Sequence, residues 1–125
     1  GEYRQADCIS SILDASGNEI YEEPESKTVY TRSASDQMTD ILEGVLNSSA
    51  GTAKGLKWSS ASDVAAAAKT GTTNDNNVAW FCGYTPYYTI SVWVGYDYPK
   101  SVKGLWGNTN PAYIWKERKQ PEIKM

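Results

Sequence analysis

The sequence contains no histidine and only two cysteines, Cys8 and Cys82, in 125 residues. Without histidine, this chain alone builds neither a Ser-His-Asp triad nor a histidine-ligated metal site. Two thiols so far apart do not amount to a disulfide framework, and nothing in the sequence supplies the geometry a bridge between them would need. Long apolar runs are also missing. None approaches the about 20 residues of a membrane span, and Gly1 to Ser10 shows no signal-peptide pattern. Positive charge is outweighed: 12 Lys and Arg against 15 Asp and Glu leave a net charge of −3, which argues against nucleic acid as a partner. Internal repeats and low-complexity tracts are absent. What is present is a 40% hydrophobic fraction, enough for a modest core, in a length that suits one domain or part of one. There is a single Phe, but five Trp and nine Tyr. These aromatics gather in the strand-like region and are expected to serve mainly as core.

The most informative stretch is Val64-Ala65-Ala66-Ala67-Ala68-Lys69-Thr70-Gly71-Thr72-Thr73-Asn74. The apolar run Val64 to Ala68 is too short for a helix and suits a buried strand. Lys69 places an ammonium where that strand meets solvent. Thr70 and Thr72 lie two apart, so their hydroxyls share one strand face. Gly71 between them has no side chain and lets a ligand backbone approach. A cation, two hydroxyls and an accessible backbone N–H together make a receptor for a carboxylate beside an amide.

The flanking chain has a legible order. Cys8 to Leu13 reads as a strand, Asp14 to Asn18 as a turn and Glu19 to Tyr21 as returning strand, a hairpin signal. Glu22, Glu23 and Glu25 read as a solvated loop broken by Pro24, rather than as paired catalytic carboxylates. Val29 to Arg32 is expected to be extended. Ser33-Ala34-Ser35-Asp36 then looks like a helix start. Met38, Ile41, Leu42, Val45 and Leu46 form an apolar stripe at helical spacing, expected to pack on a sheet. Asn47 to Gly51 ends it, and the chain to Asp63 is irregular; Trp58 there either caps the core or borders the site. Thr73 to Asn77 is a turn by composition. Val78 to Thr85 and Tyr88 to Tyr96 are strands, the latter with Ile90, Val92 and Val94 on one face. With the strand ending in Lys69 to Thr72 they predict an antiparallel meander. Pro111 to Lys119 is expected as a short helix with Pro in its first turn.

These residues carry a resemblance. Lys69-Thr70-Gly71 resembles the K-T-G element of penicillin-recognising serine enzymes. The longer pattern is more specific: Lys-Thr-Gly-Thr-Thr-Asn at 69–74, Ala-Trp-Phe-x-Gly-Tyr-Thr-Pro at 79–86 and Val-Trp-Val-Gly-Tyr-Asp at 92–97. Together they resemble the transpeptidase domain of class A penicillin-binding proteins, over about residues 3–115. Val78 departs from the acidic residue expected before Ala-Trp-Phe, and Cys82 from the more usual Val. The resemblance implies an α/β fold of α+β type, a central antiparallel sheet flanked by helices. Residues 1–125 would be the C-terminal portion of that domain, with 120–125 a tail. It also implies acyl transfer from D-alanyl-D-alanine in peptidoglycan cross-linking, acylation by β-lactams, and a place on the extracytoplasmic face of the bacterial membrane. No cofactor and no metal are implied. Lys69 and Thr72 would be the catalytic residues, Lys69 by its charge and Thr72 through an oxyanion N–H; Thr70, Gly71 and Thr72 would bind the substrate and its carboxylate.

The family nucleophile stands in S-x-x-K, and no Ser here is followed by Lys three residues on. The near misses are Ser26-Lys27 and Ser101-Val102-Lys103. Ser16-Gly17-Asn18 matches S-x-N literally but has turn composition and lies in the wrong place. The expected partners are therefore a preceding part of the domain carrying S-x-x-K and S-x-N, a peptidoglycan stem peptide, and β-lactams. The alternatives are a non-catalytic binding or regulatory module on the same scaffold and, less favoured, a serine β-lactamase. The missing helices would leave one sheet face uncovered, so the chain is not expected to fold well alone.

Overall fold

A computed structural model describes residues 1–58 and 64–117. The chain divides into two compact units, residues 1–37 and 38–125.

In the first unit, β1 (Glu2–Tyr3) pairs antiparallel with β2 (Lys27–Thr28). Asp14 to Asn18 forms the expected turn: the Asp14 carboxylate accepts from the amides of Ser16 and Asn18 and from Asn18 Nδ2. Gly17 adopts φ +85°, a region that glycine tolerates without a Cβ clash. The hairpin is shorter than predicted. Its ladder is the single bridge Leu13–Glu19, and Cys8 to Ile12 is not strand. Ile9, Ile12, Leu13 and Ile20 are all exposed, so no buried face extends the pairing. The extended piece expected at Val29 to Arg32 is a correction too. Strand geometry is at Lys27–Thr28, where Glu2 and Tyr3 supply partners. Glu23 forms an exposed ion pair with Arg4 at 2.9 Å rather than a carboxylate pair.

Helix α1 (Arg32–Asn47) begins before the expected Ser33 to Asp36 start. Thr31 is the cap: its Oγ1 accepts from Ala34 N at 3.3 Å, and its carbonyl from Ser35 N at 3.1 Å. Only the C-terminal half of the apolar stripe reaches the core. Leu46 is buried and Leu42 and Val45 are half-buried, while Met38 and Ile41 stay 54% and 67% exposed.

In the second unit, α1 ends in a turn closed by Ser48 N to Gly44 O and Gly51 N to Ser48 O, both 3.0 Å. A single 3-10 turn follows at Lys54–Leu56. Three strands then form the predicted meander: β3 (Ala67–Thr72), β4 (Val78–Tyr84) and β5 (Thr89–Gly95), in that spatial order and all antiparallel. Val64 to Ala66 precede β3 rather than belonging to it, and Val64 is exposed. Helix α2 (Asn110–Glu117) carries Pro111 in its first turn as expected, and the predicted residues 118 and 119 lie outside the described residues.

Strand alternation assigns the two sheet faces. One presents Ala68, Thr70 and Thr72, then Ala79, Phe81 and Gly83, then Ile90, Val92 and Val94. Its centre is the core, in which Phe81, Ala68, Ala66, Leu46, Leu56, Ala112 and Trp115 cluster. Trp115 on α2 packs against Phe81 and Trp58, with ring centroids 5.3 and 5.1 Å apart, so Trp58 caps the core. The Trp115 indole also lies against Gly83, where an added Cβ would come within 2.7 Å of the ring. The opposite face presents Lys69, Gly71, Trp80, Cys82, Ser91 and Trp93. Trp80 and Trp93 are cross-strand partners there and remain 44% and 42% exposed. The result is a mixed α+β architecture: a three-stranded antiparallel sheet with two helices.

Candidate active site

The candidate residues lie together on β3, an edge strand among the described residues. The neighbouring turn reveals which way its backbone faces. Thr73 N donates to Val78 O at 3.0 Å, making Thr73–Val78 a hydrogen-bonded pair. Pair types alternate along an antiparallel ladder. Gly71–Trp80 and Lys69–Cys82 are then hydrogen-bonded, while Thr72–Ala79 and Thr70–Phe81 are not. In the latter two pairs the β3 N–H and C=O point away from β4. Thr70 and Thr72 thus turn their peptide groups toward the open edge of the sheet.

Lys69 is exposed, and its Nζ donates to Thr70 O at 2.8 Å. The ammonium therefore lies at that same edge. The two threonine hydroxyls share the other side of the strand. Thr70 Oγ1 lies 3.0 Å from Thr52 Oγ1. Thr72 Oγ1 accepts from Gly107 N at 2.8 Å. The next residue, Asn108, donates from Nδ2 to Thr52 O at 2.9 Å. Gly107 comes so close that an added Cβ would lie 2.7 Å from Gly71 O and 2.8 Å from both Gly71 N and Trp80 O. Only a residue without a side chain fits against this rung.

Thr52, Gly107 and Asn108 did not stand out in the sequence. Thr52 and Gly107 are 18 and 35 residues from their hydroxyl partners, Asn108 is 56 from the Thr52 carbonyl, and Gly107 acts through its backbone. The turn after β3 is fixed by Thr73, whose Oγ1 accepts from Asn77 N and Val78 N at 3.1 Å each. Cys82 is a free, exposed thiol opposite Lys69 across the ladder, and Cys8 is likewise free and exposed. A cavity of about 330 Å³ lies at the start of β3, lined by Ala65 to Ala67, Thr39, Glu43 and Tyr84 to Pro86, and includes none of Lys69 to Thr72. Among the described residues no three His, Cys, Asp or Glu side chains gather to hold a metal ion, and no helix is long and apolar enough to cross a membrane.

Residues 1–116 match the penicillin binding protein transpeptidase domain family. The chain belongs to that family. Penicillin-binding protein 1A of Clostridium acetobutylicum is 34% identical over 94% of this chain and 14% of its own length. Penicillin-binding protein 1A of Aquifex aeolicus is 39% identical over 86% of this chain and 14% of its own. Penicillin-binding protein 4 of Bacillus subtilis is 32% identical over 93% and 18%. The chain thus spans under a fifth of the length of these relatives.

Proposed function

We propose that this chain is the C-terminal portion, residues 1–125, of the transpeptidase domain of a class A penicillin-binding protein. It supplies the β3 wall of a site that cross-links peptidoglycan stem peptides. Acyl transfer there needs a nucleophile, a base, an oxyanion hole and an anchor for the substrate carboxylate. The first two would come from an S-x-x-K segment, with S-x-N, in a preceding part of the domain. The last two would come from here.

The observation that carries this reading is the outward turn of the Thr70 and Thr72 peptide groups at an edge strand, with the Lys69 ammonium beside them. A D-alanyl-D-alanine end can lie against that edge as an added strand. Thr72 N–H would then face the carbonyl oxygen as it gains negative charge. A donor of this kind contributes roughly 3–4 kcal/mol to catalysis. The Thr70 and Thr72 hydroxyls would hold the terminal carboxylate, and Lys69 would add positive charge beside it and beside the serine network. Gly71 places no side chain between them. A β-lactam carries the same amide and carboxylate and would acylate the same serine. All these roles fall to protein groups, without a cofactor. Cross-linking of stem peptides takes place outside the cytoplasm, so on this reading the domain would lie on the extracytoplasmic face of the membrane.

The test is Lys69→Ala in the complete protein, with acylation by a labelled penicillin as the readout. The expected result is a sharp fall in the acylation rate. Unchanged acylation removes Lys69 from the site, and a wild-type protein that takes up no label favours a non-catalytic module.

A further inference from the structure

The hydroxyls of Thr70 and Thr72 are each held by a partner from a distant part of the chain. A threonine hydroxyl has one proton to donate and two lone pairs to accept with. Gly107 N can only donate, so at Thr72 the 2.8 Å bond occupies a lone pair and leaves the proton uncommitted. Among the described residues Thr72 Oγ1 makes no other hydrogen bond. At Thr70 the partner is another hydroxyl, Thr52 Oγ1 at 3.0 Å, and either oxygen can be the donor. Only one arrangement frees the Thr70 proton: Thr52 donates and Thr70 accepts. The main chain of Thr52 is tied in turn by Asn108, which donates to its carbonyl at 2.9 Å. Neighbouring residues of one loop thus reach both rungs, Gly107 directly and Asn108 through Thr52.

We infer that Thr52, with Gly107 and Asn108, is a positioning device that presents the Thr70 and Thr72 hydroxyls as donors to an anionic group. The inference rests on the transpeptidase reading, in which that group is the ligand's carboxylate. A carboxylate only accepts hydrogen bonds, so a hydroxyl must bring its proton to it. An anion at the β3 edge selects the arrangement in which Thr52 donates to Thr70. Thr70 then donates outward, and Thr72, whose proton the Gly107 bond leaves uncommitted, does the same. Thr52 touches no reacting atom and acts through Thr70.

The prediction separates charge recognition from general damage. In the complete protein, Thr52→Val keeps the branched shape and removes the hydroxyl. Acylation rates are measured with a penicillin bearing a free carboxylate and with its neutral methyl ester. The carboxylate form is expected to slow roughly tenfold, while the ester is unchanged, so the ratio between them collapses. Thr52→Ser restores it. Asn108→Ala, which keeps the Thr52 hydroxyl but frees its main chain, lowers the same ratio to a smaller degree. This second variant decides the matter if thermal unfolding shows that Thr52→Val does not fold. The inference is overturned if the folded variants keep the wild-type ratio, or slow both compounds equally. A wild-type protein that neither compound acylates overturns the transpeptidase reading and this inference with it. Wild-type acylation with an unchanged ratio in the variants overturns only the latter.

Discussion

Gly107 N donates to Thr72 Oγ1 at 2.8 Å and joins the loop before α2 to the edge strand β3. The contact depends on Gly107 having no side chain, because a Cβ there would sit 2.7–2.8 Å from backbone atoms of Gly71 and Trp80.

Gly107→Ala is therefore expected to push the loop away from β3. Backbone cannot yield as a flexible side chain does, so the stability cost is about 1–3 kcal/mol. Penicillin acylation should fall as well, since the hydroxyl of Thr72 loses its donor. Thermal unfolding and acylation rate, measured together in the complete protein, check this. A variant as stable and as reactive as wild type would refute the close approach.

Thr72→Val separates the hydroxyl from the bulk of the side chain. The buried Gly107 amide would be left unpaired, at a cost of about 1–3 kcal/mol, and on the proposed reading a donor to the substrate carboxylate would be lost. The expected outcome is acylation slowed about tenfold or more, with Thr72→Ser close to wild type. If Val and Ser behave alike, the hydroxyl has no part in binding.

Trp115→Ala tests the core rather than the site. Trp115 is buried, packs against Phe81 and Trp58, and donates from Nε1 to Gly83 O at 3.3 Å. Removing it should destabilise the domain by about 3–5 kcal/mol, read as a lower unfolding midpoint. Because β4 lies between α2 and the edge strand, acylation should decline with it. A loss below about 1 kcal/mol would contradict this packing.

In the first unit, the Tyr21 hydroxyl donates to Asp7 Oδ2. This bond is the main cause that holds the Asp7 carboxyl below its ordinary value and pushes the Tyr21 phenol up to about 12. The signs follow from linkage. The Asp7 contribution is present above the unfolded carboxyl value and is lost as pH falls through the lowered one; the Tyr21 contribution is present below the unfolded phenol value and is lost as pH rises through about 12. Tyr21→Phe should return Asp7 toward its ordinary value, as followed by carboxyl carbon NMR on aspartate-labelled protein. An Asp7 titration identical in the variant and the wild type would rule the bond out.

Trp80 and Trp93 face outward as cross-strand partners, leaving the sheet face that carries Lys69 partly bare. Apolar surface of this kind is covered in a complete domain. The isolated 125-residue chain is expected to show no cooperative thermal transition. A sharp, reversible transition by calorimetry would contradict that expectation.

Much of the fold was legible because its signals are local. Thr73 to Asn77 has turn chemistry, and the alternation Ile90, Val92, Val94 sorts one strand face from the other. Pro111 announces the first turn of α2. The errors lie where local pattern competes with partner availability. Cys8 to Leu13 has strand composition but finds only one bridge, at Leu13–Glu19. Met38 and Ile41 belong to a helical stripe, yet they lie beyond the part that the core of the second unit buries.

By itself the sequence determined that Lys69, Thr70, Gly71 and Thr72 share one strand, that Thr70 and Thr72 share a face, and that a meander follows. Each of these depends on residue type and on spacing over a few positions. Only the tertiary structure decided which edge of β3 is open, which sheet face α2 covers, and that Thr52 and Gly107 meet Thr70 and Thr72. Those outcomes depend on hydroxyls and amides brought together across 18 and 35 residues. A backbone amide at a glycine looks the same in sequence whether or not it holds an edge strand in place.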